Sequence, residues 1–134
     1  MIITNVEINN FRCYYGKNNI SFDPTESKIT LIWGDSGYGK SSFLQFFRWM
    51  FYSDPDFGVN DDKPLFNIAA YNECKFGEAV TVSGQIDFEH LGSSYRLSRV
   101  ENWSTALKYS NSTLQRRIYK LYVKIYRRKE NSAN

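Results

Sequence analysis

Apolar positions recur among polar ones in three stretches of this chain, and each predicts a strand. Residues 2–8 carry Ile2, Ile3, Val6 and Ile8 and end at Asn9-Asn10. Residues 19–22 alternate through Ile20 and Phe22 and stop at Asp23-Pro24, which predicts a short second strand. From 79 to 89 the alternation is clean. Val80, Val82, Ile86 and Phe88 take one face, and Thr81, Ser83, Gln85, Asp87 and Glu89 the other. His90–Ser94 reads as a turn and residues 95–100 return, so an antiparallel hairpin is expected here. Residues 28–33, Lys-Ile-Thr-Leu-Ile-Trp, are β-rich and nearly continuous in apolar residues, the pattern of a buried central strand.

Residues 40–52 have helical length and are closed by Ser53-Asp54-Pro55. Phe43, Leu44, Phe46, Phe47, Trp49, Met50 and Phe51 surround its circumference, so it is expected to be buried on most sides. Residues 53–78 are rich in Asp, Asn, Gly and Pro and read as a long loop. Residues 114–128 fit two periods. Ile118, Leu121, Tyr122 and Ile125 have helical spacing, while Leu121, Val123 and Ile125 alternate. The absence of Gly and Pro favours a helix.

Composition narrows the class. The chain has 134 residues, enough for one domain with a real core, and its 42% hydrophobic and 23% charged content is globular rather than disordered. Aromatics make 17%, so flat rings must fill much of the core. No apolar run approaches the roughly 18 residues of a membrane span, and the N-terminus lacks signal-peptide character. Cys13 and Cys74 are far apart with no CxxC spacing, which indicates neither zinc nor a redox pair. A cytoplasmic location is expected. Net charge is +3 but uneven: residues 108–134 hold eight basic residues against one acid, while residues 1–107 carry nine against thirteen. An acidic body at 1–107 with a basic tail at 108–134 describes the chain better than the total does.

The sharpest chemical signal follows residues 28–33. Gly34-Asp35-Ser36-Gly37-Tyr38-Gly39-Lys40-Ser41, with Ser42 next, fits G-x-x-x-x-G-K-[ST] at every fixed position. Average composition gives that match a chance of roughly 1 in 30,000 per starting position. Backbone N–H groups must converge on a phosphate, and glycines permit the dihedrals and the close approach. The helix beginning near Gly39 adds its unsatisfied N–H groups and its dipole. Lys40 is spaced to reach the β- and γ-phosphates, and the Ser41 hydroxyl to ligate Mg²⁺. ATP with Mg²⁺ is the expected ligand. The rival account is a glycine-rich turn that happens to contain a lysine.

The flanks add a resemblance. Ile8-Asn9-Asn10-Phe11-Arg12, Tyr15-Gly16-Lys17 leading to Ile20-Ser21-Phe22, Ile29-Thr30-Leu31-Ile32 before the loop, and Phe47–Tyr52 at the helix end carry it. With Phe88-Glu89-His90 and Tyr95–Arg99, they resemble the N-terminal ATPase lobe of the SMC and SbcC-type family, most closely DndD-like restriction ATPases, over about residues 1–101. The resemblance implies an α/β fold: a P-loop NTPase half-domain of ABC/SMC head type, with a mixed sheet, a buried helix after the loop, and the hairpin. It implies that Arg12 lies near the nucleotide phosphates; without it, Arg12 reads as a solvated strand-end arginine. It further implies a second head or C-terminal lobe as partner, a role in DNA repair, restriction or phage defence, and a coiled coil beginning in the tail. The family's loop usually has Asn at Ser36 and a small residue at Tyr38, which bears on how an opposing head closes.

Hydrolysis in that family needs four apolar residues followed by Asp-Glu, and an LSGG-like signature. Neither occurs here; Gln85–Glu89 alternates as a hairpin strand and Leu91–Ser94 lacks the second glycine. The chain therefore reads as half an active site that binds without hydrolysing, with an uncovered apolar helix that favours self-association. A small P-loop kinase would need clustered lid arginines that residues 53–78 lack, and no Asn-Lys-x-Asp guanine motif supports a GTPase. A nucleic-acid-binding module remains as an alternative. Arg116, Arg117, Lys120, Lys124, Arg127 and Arg128 interleave with Tyr119, Tyr122 and Tyr126, a pattern that suits backbone contacts to DNA or the solvated face of a helix.

Overall fold

The computed structural model describes residues 1–25, 29–54, 63–104 and 122–127, the last as backbone. Among the described residues there are five strands and two helices: β1 (Ile2–Asn9), β2 (Lys17–Ser21), α1 (Lys40–Tyr52), α2 (Ile68–Glu73), β3 (Ala79–His90), β4 (Ser93–Ser104) and β5 (Tyr122–Arg127). The strands form one sheet in the order β2-β1-β3-β4-β5, and each neighbouring pair is antiparallel. The α/β class and the hairpin, turning at Leu91-Gly92, are as expected, while the described strands pair antiparallel throughout where a mixed sheet was expected.

The register explains the core. Val6 pairs with Ile86 and Ile86 with Leu97, so the apolar alternation of three strands falls on one face, and all three side chains are buried. Helix α1 lies across that face with Phe46, Trp49 and Met50 buried. Phe11 completes an aromatic cluster, its ring 5.5 Å from Phe46 and 5.3 Å from Trp49. The close approach is made at Gly84, opposite Ile8. A Cβ there would sit 2.5 Å from Met50 Sδ and 2.6 Å from the Phe46 ring.

Two charged residues also lie on the core face. Glu101 is 1% exposed and accepts a 2.8 Å hydrogen bond from Trp49 Nε1. The Arg99 guanidinium stands 5.5 Å over the Trp49 ring and donates to Ser53 Oγ at 2.8 Å. Ser53 is the C-cap of α1, in the left-handed region at φ 65°. Strand β4 thus fixes the far end of the helix whose N-terminus carries the glycine-rich loop.

Four further expectations change. Residues 29–33 form no strand; they are exposed, with Ile29 and Trp33 each 83% exposed and Leu31 82%. A central strand needs a partner on each side, and both neighbours of every inner strand of this sheet are already taken by others. Residues 122–127 form a strand rather than a helix. The alternating period prevails because β4 offers a bare edge whose N–H and C=O groups β5 satisfies, Leu97 opposite Ile125 and Val100 opposite Tyr122; the rest of 114–128 lies outside the described residues. The stretch 53–78 is not loop throughout, since Ile68–Glu73 is helical and Asn67 caps it by accepting from Ala70 N. Helix α1 is buried mainly along one stripe, with Leu44, Phe51 and Tyr52 exposed. No described helix is long and apolar enough to cross a membrane.

Candidate functional site

The loop begins at residue 34 and enters α1 through two glycines in a backbone region that residues with a Cβ rarely adopt. Gly37 has φ 89° and Gly39 φ 90°. Gly39 is the N-cap of α1, with no side chain capping the first turn and no acidic residue in it, so the N–H groups there are open to an anion. Lys40 Nζ donates to the carbonyls of Gly34 and Asp35, which curls the loop around its own ammonium. Tyr38 is exposed and does not line the cleft described below.

A second piece of chain presses on this loop. After β1 the backbone turns sharply through Asn10 (φ 52°) and Arg12 (φ 49°), both left-handed. Asparagine adopts that region readily, and arginine does so at a cost of order 1–2 kcal/mol. The turn is closed by Gly16 N donating to Asn10 Oδ1 at 2.8 Å. Its next residues pack against the loop: a Cβ on Gly39 would lie 2.8 Å from Cys13 Sγ, and Tyr14 OH donates to the Gly39 carbonyl at 3.2 Å.

Between these pieces and residues 63–69 lies a cleft of about 630 Å³. Of the residues that the sequence singled out, Arg12, Ser36, Gly37, Gly39, Lys40, Ser41 and Ser42 line it. Gly34 and Asp35 supply carbonyls to Lys40 instead. Arg12 is only 8% exposed, so it is not a solvated strand-end side chain. Lys63, Gln45, Cys13, Phe66 and Asn67 also line the cleft and carry no motif. Arg12, Lys40 and Lys63 bring three cations to one space, and no carboxylate side chain lines it among the described residues. Of the basic tail, Lys124 and Arg127 fall on β5 opposite Ser98 and Tyr95; Arg116, Arg117, Lys120 and Arg128 lie outside the described residues. Cys13 and Cys74 are not joined in a disulfide. No group of three His, Cys, Asp or Glu that could hold a metal occurs among the described residues.

Three tyrosines around the turn have phenols held above the ordinary value of 10.0. For Tyr14 burial is the main cause, with Cys13 adding to it; for Tyr71 it is again burial, then Cys74. For Tyr15 the 2.6 Å hydrogen bond to Glu73 comes first. Raised values mean that the folded state favours the neutral phenol. This contribution is therefore complete below pH about 10 and disappears as pH rises through the folded values. An ultraviolet titration should show part of the tyrosine signal lagging behind the rest, with stability to urea flat through neutrality and falling above pH about 10. A single sharp titration at the free-tyrosine position would contradict this arrangement.

A glycine-rich loop at the N-terminus of a helix, under a cationic cleft in an α/β frame, defines a phosphate-binding-loop domain. A family model for the AAA domain matches residues 5–133, and the chain belongs to that family. Among curated proteins, none matches the chain.

Proposed function

We propose that this chain is the ATP-binding N-terminal lobe of an SMC/SbcC-like ATPase, close to the DndD-like enzymes, that acts on DNA in the cytoplasm. One observation carries the reading: Arg12, Lys40 and Lys63 converge on a cleft floored by the open N-terminus of α1. That donor set fits a triphosphate, since cations and unsatisfied N–H groups face it from both walls. Gly34 through Ser42 with Arg12 would hold the phosphates. Ser41 would supply a hydroxyl to Mg²⁺, whose bound form neutralises phosphate charge. The exposed residues 29–33 support a missing neighbour, either a C-terminal lobe or a second head, and they offer a route to self-association.

Cys13 provides the test, because it is an exposed thiol on the cleft wall. With ATP–Mg²⁺ at ten times its Kd, alkylation of Cys13 should slow about tenfold, while Cys74 reacts as before. The protection should vanish in Lys40→Ala. Equal rates with and without ATP would sink the reading. Phosphate release by the chain alone is expected to stay at background, because no Asp-Glu segment completes the site; steady turnover would contradict the half-site view.

A further inference from the structure

We propose that Asn67 is a positioning residue that sets Arg12 on the wall of the cleft and so tunes nucleotide affinity; this rests on the ATP reading above. The two residues are 55 positions apart, yet both polar atoms of the Asn67 side chain are bonded near their junction. Asn67 Nδ2 donates to the Arg12 carbonyl at 2.7 Å, and Asn67 Oδ1 accepts from Ala70 N at 3.1 Å as the N-cap of α2. Its backbone joins as well, Asn67 N donating to the Asn10 carbonyl at 2.7 Å, while Arg12 N donates to Leu65 O at 2.8 Å. Asn67 is buried, so these bonds are shielded from competing water.

Arg12 needs such an anchor because its backbone is left-handed at φ 49°. A non-glycine residue persists there only where its surroundings hold it. The bond to the Arg12 carbonyl pins the peptide that follows the strained φ, which fixes where the side chain leaves the turn. One amide thereby ties both walls of the cleft, the 10–16 turn that touches Gly39 and the 63–69 segment that bears Lys63. Asparagine suits this better than its neighbours in size. Serine could cap α2 but has no donor long enough for the carbonyl, and aspartate would place an acceptor against an acceptor.

The test is a double-mutant cycle on the full chain, read by equilibrium ATP–Mg²⁺ binding alongside thermal melting. Arg12→Ala should weaken binding about tenfold or more, and Asn67→Ser about fivefold with the cap retained. In the Arg12→Ala background, Asn67→Ser should cost less than about twofold, because the residue it positions is gone. A purely structural asparagine would weaken binding equally in both backgrounds, and that result overturns the proposal. Unchanged affinity in either single variant overturns it too. Should Asn67→Ser fail to fold, Asn67→Thr keeps a cap oxygen, adds no charge to the cleft and serves in the same cycle with the same expectation. An unsubstituted chain that binds no ATP would overturn the nucleotide reading and this proposal together, whereas the other failures leave the nucleotide reading standing.

Discussion

Lys40→Ala should weaken ATP binding by about a hundredfold, with little change in melting temperature. The side chain is exposed and its ammonium donates to the carbonyls of Gly34 and Asp35, so few packing contacts depend on it. A triphosphate entering the cleft offers the same ammonium charged oxygens, and a charge-assisted bond of this type is worth about 1.5–3 kcal/mol. The upper half of that range corresponds to the expected factor. Removing the side chain also deprives two loop carbonyls of their donor, so the empty loop should become more mobile. Calorimetric titration with ATP–Mg²⁺ measures the affinity and a thermal scan the fold. Affinity unchanged within threefold would mean that the loop does not use its lysine.

Gly84→Val should destabilise the fold by about 3 kcal/mol, the upper end for overpacking a tight core. The position has an ordinary φ, so conformational freedom is not the reason for glycine here. Space is the reason. A single Cβ would already meet Met50 Sδ at 2.5 Å and Phe46 ring carbons at 2.6 and 2.7 Å. Met50 can swing aside, but Phe46 is fully buried between Phe11, Phe47 and Trp49. Helix α1 must therefore lift, which disturbs Trp49 and its bond to Glu101. Gly84→Ala should show the same effect at about half the size. Urea unfolding of both variants checks the order; a valine variant as stable as the parent would mean that α1 does not sit where described.

How much of this was legible beforehand depended on how local each feature was. The phosphate-loop pattern could be read because its spacing is contiguous, and the hairpin because its alternation runs unbroken from Ala79 to His90. Residues 29–33 misled because an apolar run states that cover is needed, not where the cover comes from. Strand β5 was obscured by a sequence that satisfies two periods, and only the free edge of β4 decides between them. Helix α2 escaped notice because six residues give no measurable periodicity, although Asn67 ahead of an apolar tetrad is a capping signal. Lys63 carries no motif, and the capping signal of Asn67 says nothing of Arg12. Their place opposite Arg12 exists only after the chain has folded back across some fifty residues.

The pairing of β1 has a consequence in time. Its inner neighbour is β3, with Ile2 opposite Glu89, eighty-seven positions away. During synthesis the first strand and the glycine-rich loop must leave the ribosome long before the strand that shelters them. Hairpin β3–β4 joins neighbours in sequence, so it can close within about 1–10 μs once made. The slow event is then the capture of the waiting N-terminal strand by a finished hairpin, a large loop closed late. A truncated product that ends before residue 79 would expose the first strand and the aromatic helix together, which makes it a natural client for chaperones.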